Sequence, residues 1–194
     1  MSGTFYYLTH PQVQVDPAVP VPDWSLSATG RARAALAARL PVFRQLEQVY
    51  SSAETKAVET ARIISDALGV PAAVLPLTHE NDRSATGFLP PDAFETVADA
   101  FFARPFESVR GWERAADAQS RIMAESAGAI AEAMDRDVLM VGHGAVGTLL
   151  YCRLAGLPIS RRYDQPAGGG NVFAFRPAER QIVHAWTPIE AMAA

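Results

Sequence analysis

The stretch Val-Leu-Met-Val-Gly-His-Gly-Ala-Val-Gly, residues 138–147, decides the fold class of this chain. Four apolar residues end abruptly at Gly-His-Gly, and a helix-like stretch over residues 145–155 follows at once. This order predicts a buried strand that leads directly into a helix, with His143 at the carboxyl end of the strand. Open α/β sheets bind ligands at that edge, so His143 is a candidate functional residue.

A second histidine stands in the same relation to a second predicted strand. Residues 4–8 are rich in aromatic and β-branched side chains, which indicates a strand, and His10 lies just beyond them. Because the carboxyl ends of parallel strands meet at one edge of a sheet, we expect His10 and His143 to meet there.

The remaining pattern alternates between short apolar runs and Ala-rich helical stretches. The predicted strands lie at residues 4–8, 49–51, 72–77, 137–141, 171–175 and 181–186. The predicted helices lie at residues 26–40, 54–68, 92–103, 113–134 and 145–155. We expect Ser52 to cap the helix that follows it. The order predicts a three-layer α/β/α sandwich with a mainly parallel sheet, an antiparallel edge and a helical insertion at about residues 92–134, within a single domain over residues 1–194.

Composition and charge exclude several classes of partner. The chain has 194 residues, of which 49% are hydrophobic and 20% charged, as in an ordinary globular domain. Its net charge of −4 gives no reason to expect nucleic acid or an anionic membrane as a partner. The single cysteine, Cys152, favours a reducing compartment, and no secretory signal or membrane-length apolar run is recognised, so we expect a cytoplasmic protein.

Four segments, in order, resemble the motifs of the histidine phosphatase superfamily, the phosphoglycerate-mutase-like fold. They are Thr9-His10-Pro11 for Arg-His-Gly, residues 26–34 for Leu-Thr-x-x-Gly-x-x-Gln-Ala, residues 51–61 for Ser-Ser-Pro-x-x-Arg-Ala-x-Gln-Thr-Ala, and residues 142–144 for Gly-His-Gly. The resemblance spans nearly the whole chain and implies the same α/β fold.

The resemblance also implies roles in phosphoryl transfer for several residues. His10 would be the nucleophile that forms a phosphohistidine, and His143 would stabilise charge on the transferring group. Glu80, in an irregular segment after the third strand, is the candidate general acid, with Asp82 as a competitor. Such an acid would need a pKa raised toward neutrality.

The chain departs from the family where phosphate is bound. Two arginines hold the phosphoryl group in the family, and Thr9 and Lys56 stand in their places here. Thr9 can donate a hydrogen bond but brings no charge. We therefore expect Arg83 to be a further phosphate-binding residue, and an ion pair with Glu80 or Asp82 is the structural alternative.

These residues predict a metal-independent phosphatase that acts on a small phosphomonoester and needs no cofactor. A phosphoglycerate-type mutase would differ only in the group that accepts the phosphoryl. The changes at Thr9 and Pro11 keep open a weak or inactive protein of the same fold that binds a phosphate ligand in a regulatory role. The expected partner is a small phosphorylated substrate or phosphate, and a homodimer is left open.

Two other site types have less support in the sequence. Gly142, Gly144 and Gly147 match the dinucleotide fingerprint Gly-x-Gly-x-x-Gly, and Asp164 lies at about the distance expected for its acidic residue. The segment around Asp164 does not look like the end of a strand, which counts against that alternative. No His-x₃-His or Cys-x₂-Cys spacing occurs, so no metal site is expected.

Overall fold

The computed structural model describes residues 2–193, and a six-stranded sheet forms its centre. The strands are β1 (Phe5–Thr9), β2 (Leu46–Ser51), β3 (Ala72–Val74), β4 (Asp137–Gly142), β5 (Asn171–Arg176) and β6 (Gln181–Pro188). They are arranged in the order β3-β2-β4-β1-β5-β6. The first four in this order pair in parallel, whereas β5 pairs antiparallel with β1 and with β6. The predicted parallel sheet with an antiparallel edge is therefore confirmed.

Six α-helices within residues 2–193 flank the sheet. They are α1 (Ala28–Ala37), α2 (Thr55–Leu68), α3 (Pro91–Ala103), α4 (Ala115–Glu132), α5 (Gly144–Leu154) and α6 (Ile189–Met192). Helices α3 and α4 occupy the region predicted as a helical insertion. Within residues 2–193, no helix combines the length and the apolar character that crossing a membrane requires.

Strand β1 shows how the sheet separates two hydrophobic cores. Phe5 and Tyr7 belong to the core on the side of α4 and α5, whereas Tyr6 and Leu8 belong to the core on the side of α1 and α2. Successive side chains of a strand point to opposite faces, so a strand covered on both faces must be apolar throughout. All five residues of β1 are buried, as this arrangement demands.

Two strand boundaries differ from the prediction by three residues. Strand β2 begins at Leu46, three residues earlier than expected, and its pairing with β4 is irregular between Leu46 and Gln48. Strand β3 ends at Val74 rather than at residue 77, because Pro76 begins a 3₁₀ turn, Pro76–Thr78. Proline has no backbone N–H for a sheet ladder, which explains why the strand stops before it.

Candidate active site

The two predicted histidines leave neighbouring parallel strands side by side. Thr9 at the end of β1 pairs with Gly142 at the end of β4, and the backbone N–H of His10 donates to the Gly142 carbonyl at 3.0 Å. The centroids of the His10 and His143 rings are 5.3 Å apart, with the ring planes at 68°. Sheet pairing thus brings together two residues that are 133 positions apart in the chain.

The His10 ring is held in one tautomer. Its Nδ1 lies 2.8 Å from the carbonyl oxygen of Pro11, and because a carbonyl only accepts, Nδ1 must carry the proton. The other nitrogen, Nε2, then keeps its lone pair. Burial, with the charge of His143 as the next cause, lowers the pKa of His10 to about 3. A neutral imidazole with a free nitrogen can act as a nucleophile.

The His143 ring is buried, with 1% of the residue exposed. Its Nε2 lies 2.6 Å from Ser52 Oγ and 3.5 Å from Glu54 Oε1. Burial lowers the pKa of His143, although the charges of Glu54 and Glu80 oppose this. Its Nδ1 has no hydrogen-bond partner among the residues that the structure describes.

Ser52 contributes its hydroxyl to His143 rather than to a helix cap. Helix α2 begins at Thr55 and has Glu54 in the N-cap position, without a capping bond from a side chain. The prediction that Ser52 caps this helix is therefore wrong. The turn between β2 and α2 is one residue longer than the sequence suggested, and the Ser52 hydroxyl lies at hydrogen-bond distance from the His143 Nε2.

Two glycines of the stretch around His143 make room for a buried tyrosine. The Tyr7 hydroxyl accepts from the His143 N–H at 3.0 Å and lies 3.1 Å from the His143 carbonyl, to which it donates. A Cβ at Gly142 would lie 2.1 Å from the Tyr7 hydroxyl oxygen, and one at Gly147 would lie 2.5 Å from the Tyr7 ring. These glycines therefore serve the packing that holds the turn after β4.

Glu80 lies at the N-terminus of α5. Its carboxylate accepts from the N–H groups of Ala145 at 3.1 Å, Val146 at 3.0 Å and Asn81 at 3.0 Å. Burial alone would raise the pKa of Glu80, but the charge of Arg83, the charge of His143 and these N–H donors together lower it. The direction is opposite to the one that we expected for a general acid.

The position of Glu80 also argues against dinucleotide binding. A pyrophosphate would need the N–H groups at the start of α5, and the Glu80 carboxylate already binds two of them. The strand after α5 pairs antiparallel with β1, whereas the fingerprint belongs to a parallel βαβ unit. The structure thus removes the basis of the dinucleotide hypothesis.

Lys56 is buried in the site and already has a counter-charge. The residue is 3% exposed, its ammonium forms an ion pair with Glu54, and it donates to the Val21 carbonyl at 2.7 Å. The other carboxylate oxygen of Glu54 accepts from the Glu80 N–H at 2.9 Å. Burial would raise the pKa of Glu54, but the charges of His143 and Lys56 lower it to about 2.

Sequence reasoning missed Glu54 as a site residue. Glu54 lies two positions before Lys56, inside the segment that resembles the third family motif, and the sequence placed it only at the start of a helix. A carboxylate so close to the residue in the arginine position was the available signal. Its presence means that Lys56 does not offer an uncompensated charge to a phosphate.

Arg83 presents a guanidinium group that no carboxylate neutralises directly. The group lies over the rings of Phe94 and Trp112, with 5.1 Å and 5.6 Å to their centroids. Within residues 2–193 its side chain forms no hydrogen bond or ion pair, so the alternative of a pair with Glu80 or Asp82 is not realised. Its charge nevertheless lowers the pKa of Glu80.

Thr9 uses its hydroxyl group inside the protein. The residue is 1% exposed, its hydroxyl donates to Gln165 Oε1 at 2.6 Å, and it accepts from the Asn171 N–H at 3.0 Å. An open cavity of about 320 Å³ adjoins this cluster. The residues that line it are Thr9, His10, Pro11, Gln12, Val13, Val15, Gln165, Gly168 and Gly169.

The formal charges of the site cancel. Lys56 and Arg83 contribute two positive charges and Glu54 and Glu80 two negative ones, while both histidines have lowered pKa values and are neutral near pH 7. Within the described part of the chain, no group of three or more histidine, cysteine or acidic side chains could hold a metal ion. The chemistry that this arrangement allows is nucleophilic attack by an imidazole, with hydrogen-bond donors around it.

Comparison with known proteins places this geometry in a family. The family model of the histidine phosphatase superfamily, branch 1, matches residues 12–186. No curated protein sequence matches the chain. YhfR of Bacillus stearothermophilus, a solved structure, is similar with a TM-score of 0.77 and 22% identity, over 94% of each chain.

Two further solved structures carry the names of phosphatases. A mycobacterial glucosyl-3-phosphoglycerate phosphatase in complex with inorganic phosphate has a TM-score of 0.76 and 20% identity, over 97% of this chain and 99% of that one. A putative alpha-ribazole-5'-P phosphatase from Escherichia coli has a TM-score of 0.72 and 17% identity, over 96% and 97%. At these identities the similarity shows the fold alone. Since the family model covers most of the sequence, the chain belongs to the histidine phosphatase superfamily.

Proposed function

We propose that this protein is a metal-independent phosphatase that hydrolyses a small phosphomonoester through a phosphohistidine at His10. The observation that carries the proposal is the His10 ring, whose Nδ1 is tied to the Pro11 carbonyl and whose Nε2 is free, beside the buried ring of His143. Family membership and the phosphatase names of two structural neighbours support it.

In the first step, Nε2 of His10 attacks phosphorus in line with the leaving oxygen. The new N–P bond forms as the P–O bond to the alcohol breaks, and Glu80 protonates the departing oxygen. The pKa of Glu80 is lowered without ligand, but a phosphate dianion close to it would raise that pKa, because like charges favour the protonated form. Arg83 and His143 donate hydrogen bonds to the phosphoryl oxygens as charge develops.

In the second step, water takes the place of the alcohol. The Glu80 carboxylate, which gave up its proton in the first step, accepts a proton from the attacking water. The N–P bond breaks, inorganic phosphate leaves, and His10 returns to its neutral form. Transfer to a second alcohol instead of water would make the protein a mutase, with the same residues in the same roles.

A second candidate is a phosphate-ligand binding protein of the same fold with little or no turnover. The cancelled charges favour it, because Glu54 neutralises Lys56 and opposes an anion in the site. Under either function the cytoplasm is the compartment that we propose, since Cys152 is an unpaired, buried thiol.

Trapping of the phosphoenzyme tests the choice between these functions. The protein is mixed with p-nitrophenyl phosphate and quenched, and an acid-labile phosphoryl group on His10 is expected. His10→Ala should lose both the label and the turnover. His184→Ala is the matched control, because the His184 Nδ1 also lies near a backbone carbonyl, 2.9 Å away, but on β6 at the sheet edge. A wild-type protein with neither label nor turnover would favour the binding protein.

A further inference from the structure

We propose that Gln165 is a phosphate-binding residue, whose side-chain amide supplies a donor that the site lacks because Thr9 replaces an arginine. This inference rests on the proposed function, since it assigns a ligand to the same site. Gln165 belongs to none of the four segments that resemble the family motifs, and the site is assembled around it from distant parts of the chain.

The first observation is the position of Gln165. Its side chain lines the cavity beside His10, together with Thr9. Its backbone N–H donates to Asp164 Oδ1 at 2.8 Å, and the same oxygen accepts from the Thr148 hydroxyl of α5 at 2.7 Å. The loop that carries Gln165 is therefore hydrogen-bonded to α5, the helix that begins directly after His143.

The second observation is the orientation of the amide. Gln165 Oε1 accepts from the Thr9 hydroxyl at 2.6 Å and from Asn171 Nδ2 at 2.9 Å. The Asn171 amide is itself oriented, because Nδ2 also donates to the Pro166 carbonyl at 2.9 Å. The atom that faces both donors must be the oxygen of Gln165, so its NH₂ group points the other way.

The third observation is where that NH₂ group lies. Gly144 follows His143, and a Cβ at Gly144 would be 2.6 Å from Gln165 Nε2. The second glycine of the Gly-His-Gly sequence thus leaves space for this amide. Among the described residues, no acceptor lies within hydrogen-bond distance of Nε2, although the side chain is half-buried. A half-buried donor without a partner is costly, and a bound ligand or water is expected to satisfy it.

These contacts define the kind of ligand that the Gln165 NH₂ group can bind. A phosphoryl oxygen is an acceptor only, and an NH₂ group supplies two N–H donors with no competing lone pair. An oxygen bound there would lie in the cavity that His10, the proposed nucleophile, also lines. The amide adds no charge, so it strengthens phosphate binding without changing the balance among Glu54, Lys56 and Glu80.

Two substitutions separate this role from a structural one. Gln165→Met removes the donor without adding a charge. Gln165→Glu keeps an oxygen for Thr9 and Asn171 but replaces the NH₂ group with an anionic acceptor. The control pair is Gln181→Met and Gln181→Glu, at an exposed position at the start of β6. For each full-length variant we would measure kcat, KM, inhibition by inorganic phosphate, and the melting temperature with and without phosphate.

We expect Gln165→Met to weaken inhibition by phosphate and to raise KM about tenfold or more, since a hydrogen bond to a charged group is at stake. Gln165→Glu should weaken inhibition by phosphate and raise KM further than Gln165→Met does. Its melting temperature without phosphate should nevertheless stay closer to that of the wild type. The Gln181 variants should match the wild type in every measurement.

Failure of this inference can be told from failure of the proposed function. If the wild type turns over and Gln165→Met lowers only the melting temperature, with KM and phosphate inhibition unchanged, Gln165 is structural and the inference is overturned. If the wild type binds phosphate without turnover, the shift of the melting temperature by phosphate still decides the role of Gln165. A wild type that neither turns over nor gains stability from phosphate overturns both proposals.

Discussion

Replacing Glu54 with glutamine should make the site bind phosphate more tightly. The substitution removes one of the two negative charges of the site and keeps the shape of the side chain. The amide oxygen of a glutamine can still accept from the Glu80 N–H, which donates to Glu54 at 2.9 Å in the wild type. The change therefore tests the charge of Glu54 with little disturbance of the fold around it.

The size of the effect follows from the position of Glu54. Its carboxylate lies 3.5 Å from His143 Nε2, so a phosphoryl group in contact with His143 would lie roughly 6 Å from it. At an effective dielectric constant of about 20, two unit charges at that distance repel by about 3 kcal/mol. Solvent and local relaxation reduce this value, and we expect phosphate affinity to rise at least about tenfold, or about 1.4 kcal/mol.

The same substitution should destabilise the protein when phosphate is absent. The Lys56 side chain is buried, and without the Glu54 carboxylate its ammonium still donates to the Val21 carbonyl but has no counter-charge in contact. Removal of one partner of a buried ion pair costs about 3–5 kcal/mol. Phosphate would return a counter-charge to Lys56, so the stability of the variant should depend strongly on phosphate concentration.

Thermal unfolding over a series of phosphate concentrations measures both effects. Without phosphate, Glu54→Gln should have a lower melting temperature than the wild type. Each addition of phosphate should raise the melting temperature of Glu54→Gln by more than that of the wild type. Glu132→Gln is the control, because Glu132 pairs with Arg136 and accepts from the Tyr50 hydroxyl on a half-exposed surface before β4. If phosphate raises the melting temperature of Glu54→Gln no more than that of the wild type, the reasoning about charge is wrong.

Acid unfolding gives an independent check on Glu54. Its pKa in the folded protein is lowered from an ordinary 4.5 to about 2. A carboxylate with a lowered pKa stabilises the fold above its ordinary pKa, and that contribution is lost as the pH falls from about 4.5 toward 2. The free energy of unfolding of the wild type should fall over that pH range. In Glu54→Gln the decrease should be smaller, because no carboxylate is protonated at that position.

Three further predictions concern the proposed catalytic residues. Arg83→Ala should weaken phosphate inhibition about tenfold, because it removes a charged hydrogen-bond donor. Arg114→Ala, which breaks an exposed ion pair with Asp117, should have no effect. If the inhibition constants of Arg83→Ala and the wild type are equal, Arg83 does not bind phosphate. Glu80→Gln should slow turnover of esters with poor leaving groups more than those with good ones, and a uniform loss would contradict its role as an acid. Because the pKa of His10 is lowered to about 3, protonation of His10 should not reduce kcat/KM above about pH 4. A decline of kcat/KM centred near pH 6.5, in the wild type and also in Glu80→Gln, would show that the His10 pKa is not lowered.

The sheet and the meeting of the two histidines were predictable because both depend on short local patterns. An apolar run that ends in Gly-His-Gly and then continues as a helix specifies a parallel strand and its carboxyl end. Strands β1 and β4 needed only to be neighbours for His10 and His143 to meet, and they are. Strand limits were less predictable, since β2 passes through an irregularity that no periodic pattern announces.

The charge balance of the site was not predictable by the same means. The motif comparison treated Lys56 as a replacement for arginine and considered only the side chain in that position. Whether Glu54 points toward Lys56 or toward solvent depends on the backbone of the turn before α2, where Glu54 has an extended conformation. Sequence spacing carries no information on that angle, so the ion pair is visible only in the structure.

Gln165 shows why the loss of a motif arginine is weak evidence for the loss of binding. Its contact with Thr9 joins positions 156 residues apart, through an irregular segment in which no period or motif could mark it. The glycine at position 144 leaves space for the amide of Gln165, which a larger residue there would displace. A phosphate site needs donors at given points in space, and any part of the chain can provide them. With Thr9 in the position of the family arginine, the site lacks one positive charge. We propose that Gln165, which belongs to none of the family motifs, supplies the hydrogen-bond donor in its place.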